Sequence, residues 1–357
     1  MDISVLPLAA GQMKAKVADE SQLGFGRIFT DRMLLVEWTA EKGWHNARIK
    51  PYEPFVLDPS AQVFHYAQEI FEGLKAYKWA DGRIALFRPE KNARRFNLSA
   101  DRLCMPELPE ELFVEGIKQL VGLEQDWIPT AAGTSLYIRP AMIGVQPVLG
   151  VSPSDHYYFF VILSPVGAYY AAGFKPVNIM VEDHYVRAVP GGTGEAKTGG
   201  NYASSLKAGL EAKKKGFDQV LWLDGREQRY IEEVGAMNMF FVYGNRIVTS
   251  ALNGSILSGV TRDSVLALGK KLGCTVEETK IDVNELMADI KAGKVTEAFG
   301  SGTAAVITPV GKLHYKGETV PLGNGGVGEL TQKLYDTLTG IQTGALPDEF
   351  GWVTFVK

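Results

Sequence analysis

Residues 190–206 read PGGTGEAKTGGNYASSL, a lysine set among glycines and followed by a helical pattern. Gly191, Gly192, Gly194, Gly199 and Gly200 surround Lys197, and Gly209 follows a little further on. Glycine lets the backbone take positive φ and approach a ligand closely. A lysine held there suits two chemistries: a point charge beneath phosphates, or an amine that condenses with a carbonyl as a Schiff base. The first would make the stretch a P-loop, and GGTGEAKT falls one residue short of GxxxxGK[ST] because Ala196 replaces the second glycine. A P-loop also needs an unbroken helix after its lysine and a buried strand before the loop. Gly199-Gly200 interrupts the one, and Asp183–Pro190 is a poor version of the other. Gln219–Asp224 could pass for a magnesium-holding strand, so a P-loop NTPase stays open as the alternative.

The chain has 357 residues, more than one ordinary core accommodates, and reads as two domains. A hydrophobic content of 46% with 22% charged residues belongs to a folded soluble protein. Net charge is −4 and no basic stripe appears, which argues against a nucleic-acid partner. Cys104 and Cys274 lack CxxC spacing and the five histidines lack HExxH, so neither a disulfide framework nor a metal site is expected. The first twenty residues are too weakly apolar for a signal peptide, and the longest apolar run, Tyr157–Leu163, suits a buried strand rather than a membrane span. A cytoplasmic location is expected.

Periodicity and turn residues predict an α+β chain with a small N-terminal domain over 1–165, a linker over 166–176 and a larger domain over 177–357 that carries Lys197. In the first, a strand lies around Met33–Trp38, a hairpin turns at Asp81-Gly82 into Ile84–Phe87, helices open at Pro89 and Pro109, and strands cover 135–144 and 156–164. In the second, a strand at Val177–Val181 precedes the lysine loop and a helix from Tyr202 to about Lys214. Hairpins then turn at Asp224-Gly225 and Gly244-Asn245, helices follow over 261–272, 283–292 and 328–342, and the last strand is 352–356. The GxGxxG at 323–328 reads as a structural loop, since a dinucleotide fingerprint opens a βαβ unit and too few residues follow it.

If Lys197 binds an aldehyde cofactor, pyridoxal phosphate demands a carboxylate at its pyridine nitrogen, donors for its phosphate and a donor near its phenolate oxygen. Glu232 and Glu233 lie on a strand that should otherwise be buried, and strand alternation lets only one of them face a cofactor. Taken singly, either reads as a solvent-facing residue. Ser258-Gly-Val-Thr261 opens a helix and offers an anion site, Ser301-Gly-Thr303 is a second small-residue turn, and Arg88 can bind phosphate bidentately.

These stretches, with Glu233-Val-Gly-Ala-Met-Asn238, Leu136-Tyr-Ile-Arg-Pro140, Phe71-Glu-Gly-Leu-Lys-Ala76 and Ser301-Gly-Thr-Ala304, resemble the branched-chain amino acid aminotransferases in order and over nearly the whole length. The resemblance implies the two-domain fold-type IV architecture of pyridoxal-phosphate enzymes, with mixed sheets and flanking helices. It implies reversible transfer of the amino group between L-leucine, L-isoleucine or L-valine and 2-oxoglutarate. Lys197 would form the Schiff base, Glu233 would hold the pyridine nitrogen and Tyr202 the phenolate oxygen. Arg88, Val260, Thr261 and Thr303 would bind phosphate. Tyr137 and Arg139 would meet the glutamate-recognising side, and Thr303 with Ala304 the α-carboxylate. Phe25, Tyr66 and Phe71 would wall the branched side chain, and Val151 would reach a partner subunit's site in a homodimer. Ala305 and Thr308 stand where animal members carry Cys-x-x-Cys, so their thiol switch is not expected, and Ala236 replaces a threonine frequent in relatives. Rivals within the fold are a D-amino acid aminotransferase and an aminodeoxychorismate lyase.

Overall fold

The structure is a computed structural model that describes residues 1–9, 11–167 and 174–356. The strands of the N-terminal part are β1 (Ser4–Val5), β2 (Arg32–Thr39), β3 (Gly43–Pro51), β4 (Glu69–Phe71), β5 (Leu74–Lys78), β6 (Ile84–Phe87), β7 (Ser135–Gly144) and β8 (His156–Val166). Its helices are α1 (Gln62–Tyr66), α2 (Pro89–Arg102) and α3 (Glu110–Leu123). Beyond them come β9 (Val177–Glu182), α4 (Gly199–Ala203), α5 (Leu206–Lys214), β10 (Gln219–Leu223), β11 (Ile231–Val234), β12 (Met237–Tyr243) and β13 (Arg246–Ser250). The chain continues through α6 (Val260–Lys271), β14 (Thr275–Thr279), α7 (Val283–Lys291), β15 (Glu297–Gly302), β16 (Val306–Tyr315), β17 (Glu318–Pro321), α8 (Glu329–Thr343) and β18 (Val353–Val356). Two compact units result: Met1–Ala171 with Ala196–Gly199 and Gly340–Lys357, and Ala172–Glu195 with Gly200–Thr339.

The first unit is built on one sheet in the order β1-β3-β2-β8-β7-β5-β6-β18, with β4 alongside β7. Apolar residues alternate along its strands toward one face, and α2 and α3 cover that face with their own apolar stripes. Phe96 of α2, Phe113 of α3 and Phe159 of β8 meet there with ring centroids 5.5 to 6.0 Å apart. Pro89 occupies the first turn of α2, where its missing N–H costs nothing.

The observed units depart from a boundary placed at 177. β18 pairs β6 from Val353↔Phe87 to Val356↔Ile84, so the last strand completes the first sheet. The lysine tetrapeptide Ala196–Gly199 also goes with the first unit. Strand pairing is a long-range choice, and periodicity reveals a strand without its neighbour. The expected linker 166–176 falls for its central part, 168–173, outside the described residues.

In the second unit the order is β11-β10-β9-β16-β15-β12-β13-β14, with β17 beside β16. β11 pairs β12 as well as β10, so the strands from β11 round to β12 form a closed ring with no free edge among them. Ala208 and Ala212 of α5 pack on Met180, Val220 and Trp222 of β9 and β10. Two expected elements differ. The helix foreseen from Tyr202 is broken: Ser204 Oγ donates to the Asn201 carbonyl at 3.0 Å and Ser205 Oγ to that of Tyr202 at 2.7 Å, separating α4 from α5. Asp224-Gly225 heads the loop 224–230 rather than a two-residue hairpin. The Asp224 carboxylate accepts the N–H groups of Arg226, Glu227, Arg229 and Tyr230 at 2.8 to 3.1 Å. Its lone pairs are committed to this loop, which leaves little for a magnesium ion.

Candidate active site

Lys197 lies in the first unit, and its backbone is held there from both sides. Its N–H donates to Ser99 Oγ at 2.9 Å, and its carbonyl accepts from the Phe71 N–H at 2.9 Å. The amine is 4.8 Å from the Phe71 ring centroid. The guanidinium of Arg139 is 4.7 Å from the same ring and donates to the Tyr137 hydroxyl at 3.1 Å. Tyr137 in turn meets Phe25 edge-on at 5.0 Å. Phe25, Phe71, Tyr137, Arg139 and Lys197 thus form one chain of contacts. Arg139 Nε is buried and has no hydrogen-bond partner among the described groups. A buried N–H of that kind suits an anionic ligand atom.

Beside Lys197 the fully buried carboxylate of Glu72 accepts from Arg95 Nε at 2.7 Å and from Asn92 Nδ2 at 2.8 Å. Burial pushes the Glu72 carboxyl up, but the charge and hydrogen bonds of Arg95, with the charge of Lys197 and the Asn92 bond, outweigh it and hold the group below the ordinary carboxylate range. The Glu69 carboxylate accepts the Gly199 N–H. There burial dominates and raises the carboxyl, against that bond and the charge of Arg139.

Arg88 stands at the N-cap of α2 with φ 52°, a left-handed conformation uncommon for a non-glycine residue. Donation from its N–H to the Trp352 carbonyl at 2.8 Å holds the turn, and its buried guanidinium lies 4.9 Å from the Trp352 ring. Tyr66 and Val151 lie by the loop 149–152 of this unit. The Tyr66 hydroxyl donates to the Leu149 carbonyl, and Gln62 Nε2 donates to the carbonyls of Gly150 and Ser152 at 3.3 and 2.7 Å. The loop is pinned on both sides of Val151, whose side chain is 86% exposed.

In the second unit both glutamates of β11 are buried, contrary to the solvent-facing reading of each taken singly. Glu232 accepts from Asn253 Nδ2 at 2.9 Å and from Ser255 Oγ. Glu233 forms a buried ion pair with Arg187 and accepts from Asn238 Nδ2 at 3.2 Å. Alternation does send the two to different partners, and the cation that a buried carboxylate requires is Arg187. Glu233, Asn238 and Ser301 lie side by side across β11, β12 and β15. Ser301 Oγ is buried with no partner among the described groups. Asn238 Nδ2 also reaches the Leu257 carbonyl at 2.9 Å, and a Cβ at Gly259 would collide with Asn238 Oδ1. Asn238 therefore links Glu233 to the start of α6, where Val260 and Thr261 sit and no side chain caps the helix. Thr303 and Ala304 follow β15 directly, and Tyr202 lies on α4.

Residues 69–313 match the Amino-transferase class IV family. The branched-chain-amino-acid aminotransferase 2 of Bacillus subtilis (strain 168) is 58% identical over 338 residues, covering 95% of this chain and 93% of that protein. The branched-chain-amino-acid aminotransferase of Mycolicibacterium smegmatis is 54% identical over 336 residues, covering 92% of this chain and 91% of that protein. The chain belongs to the branched-chain-amino-acid aminotransferases of class IV. Solved branched-chain aminotransferases agree in fold: that of Escherichia coli with a TM-score of 0.74 at 28% identity over 90% of this chain and 99% of that one. The T.th. enzyme complexed with N-(5'-phosphopyridoxyl)-L-glutamate gives 0.73 at 30% identity over 90% and 98%.

This branched-chain aminotransferase thus has the fold-type IV α+β architecture and is a transaminase, which sets aside the P-loop reading. Among the described residues no helix is long and apolar enough to cross a membrane. Several residues around the expected set have no role assigned by the sequence: Glu69, Glu72, Asn92, Arg95, Ser99, Arg187 and Asn238. For Asn92, Arg95 and Ser99 a signal existed, since polar residues recur at helical spacing along α2. Arg187 had none, because its partner Glu233 is remote in sequence.

Proposed function

We propose that this chain is a cytoplasmic, homodimeric transaminase that exchanges the amino group between L-leucine, L-isoleucine or L-valine and 2-oxoglutarate, with pyridoxal phosphate held covalently at Lys197 Nζ. The observation that carries this reading is the grouping of an amine, an apolar ring and a guanidinium with an unmet N–H: Lys197, Phe71 and Arg139. An aliphatic side chain suits the ring, and the γ-carboxylate of glutamate suits the guanidinium. The donor set of the chain fits the cofactor as well. The Arg187-paired Glu233 is a buried carboxylate suited to a protonated ring nitrogen, and the orphaned Ser301 Oγ, beyond Asn238 on the same row of the sheet, suits a further polar ligand atom.

When bound, pyridoxal phosphate supplies an aldehyde that accepts the amino nitrogen and a ring that draws electrons from the substrate Cα. Glu233 would keep the ring nitrogen protonated by opposite charge, and its ion pair with Arg187 would hold the carboxylate in place. Tyr202 would donate at the phenolate oxygen. Arg88, the α6 start at Val260-Thr261 and Thr303 would hold the phosphate. Lys197 Nζ would take the proton from Cα and return it to the cofactor side. Thr303 and Ala304 would donate backbone N–H groups to the α-carboxylate, while Phe25, Tyr66 and Phe71 wall off the side chain and Tyr137 orients Arg139. The exposed, pinned Val151 supports a role at a partner subunit. Apolar walls discriminate among aliphatic side chains by only about 1–3 kcal/mol, so all three branched-chain substrates should turn over. Release of one oxo acid before the next binds makes the kinetics ping-pong.

The test is an absorption spectrum of purified protein before and after L-leucine, then 2-oxoglutarate. The lysine-bound band should disappear and return, and Lys197→Ala should show neither band nor turnover. Retention of both by that variant would end the assignment. Turnover of D-leucine, or pyruvate released from aminodeoxychorismate, would instead favour the rivals within the fold.

A further inference from the structure

We propose that Ser99 is a positioning residue for Lys197: its buried hydroxyl fixes the lysine's backbone and so the origin from which the amine reaches. Ser99 lies on α2, 98 positions before the lysine, and is fully buried. Its Oγ–H donates to the Arg95 carbonyl at 3.0 Å, which commits the proton and leaves a lone pair for the Lys197 N–H at 2.9 Å. Two further bonds complete a clamp on the same tetrapeptide: the Phe71 N–H to the Lys197 carbonyl at 2.9 Å, and the Gly199 N–H to Glu69.

The helix that carries Ser99 is itself anchored. Asn92 and Arg95, seven and four residues earlier, project from the same face of α2 and both bond to Glu72. Glu72 is one residue beyond Phe71, so the two sides of the clamp are tied to each other. Such anchoring answers a specific need. Gly192, Gly194, Gly199 and Gly200 flank Lys197, and glycine loses more conformational freedom on ordering than any other residue. The four-carbon stem of lysine is also rotamer-rich. Without a fixed root, the amine would sample positions useless for a proton transfer that tolerates little displacement.

The catalytic part of this inference rests on Lys197 being the reacting amine; the clamp itself does not. The experiment uses the full chain with Ser99→Ala and Ser99→Thr, the latter retaining a hydroxyl able to bond the preceding turn. Amide hydrogen exchange is read by mass spectrometry with and without added pyridoxal phosphate. Ser99→Ala should raise exchange at Lys197–Gly199 about tenfold and leave the remaining first-sheet amides unchanged. It should lower kcat at least about tenfold with KM for leucine little altered, and Ser99→Thr should restore both. Should the alanine variant fold poorly, Ser99→Cys, close in size but a weaker acceptor, gives the same comparison. Unchanged exchange at Lys197, or a loss spread evenly over the first unit, would overturn the proposal. A wild-type protein that takes up no cofactor would sink the functional reading, yet the exchange data would still decide the clamp.

Discussion

Lys75 sits on β5 opposite Tyr137, closed off from water, and burial pushes its amine down to about 8. Below about 8 the amine is charged in both folded and unfolded chains, and burial disfavours that charged form in the folded one. Between about 8 and the ordinary 10.5 the unfolded chain holds more protons, so stability from this group climbs as pH rises. The stability of the protein relative to Lys75→Met should therefore rise between pH 7 and pH 9.5, by an amount on the order of 2 kcal/mol. Urea unfolding of both proteins at the two pH values checks this, and an equal difference at each would rule out the amine as the titrating group. Residues of this kind were illegible beforehand because burial of one side chain is a tertiary outcome. Lys197 was legible for the opposite reason, its glycines being its neighbours in the chain. Glu233 fell between: its strand could be read, but its burial needed Arg187.

Helix α2 shows what a single element adds. Its N-terminal proline and the apolar positions Ala93, Phe96 and Ala100 were readable as one helix with one buried face. The polar stripe of Asn92, Arg95 and Ser99, which serves Glu72 and Lys197, has the same period, but its partners lie far away in the sequence. Arg95→Ala should leave the Glu72 carboxylate buried without its cation and cost about 3–5 kcal/mol. Replacing both partners, Glu72→Gln with Arg95→Met, should recover much of that stability; chemical denaturation of the single and double variants separates the cases. If Arg95→Ala costs under about 1 kcal/mol, the pair contributes no more than a surface bridge. The Asp224-Gly225 turn departs from its sequence signal at this same scale. Asp-Gly signals a tight hairpin only when the aspartate carboxylate does not gather four backbone N–H groups around itself.

Over the whole molecule, most helices and many strands could be listed from periodicity and turns, though not α1, β1, β4 or β17, and the family resemblance supplied their architecture. The assignment of segments to units could not, because it depends on which strands pair. Truncation after Thr343 removes β18 and exposes the edge of β6. Hydrogen exchange should then show lost protection across β5 and β6, while the closed ring of the second unit from β11 to β12 keeps its own. Equal loss in both would mean that the two units do not unfold separately.

The pairing of β6 with β18 also has a bearing on biogenesis. A ribosome delivers β6 early, yet its neighbour emerges only after every residue of the second unit has been translated. The middle of the polypeptide can close its ring while the N-terminal sheet still shows a bare edge, the kind of surface that chaperones shield. In the cell, maturation of this enzyme would run from the inside of the chain outward, with the oldest segment finished last.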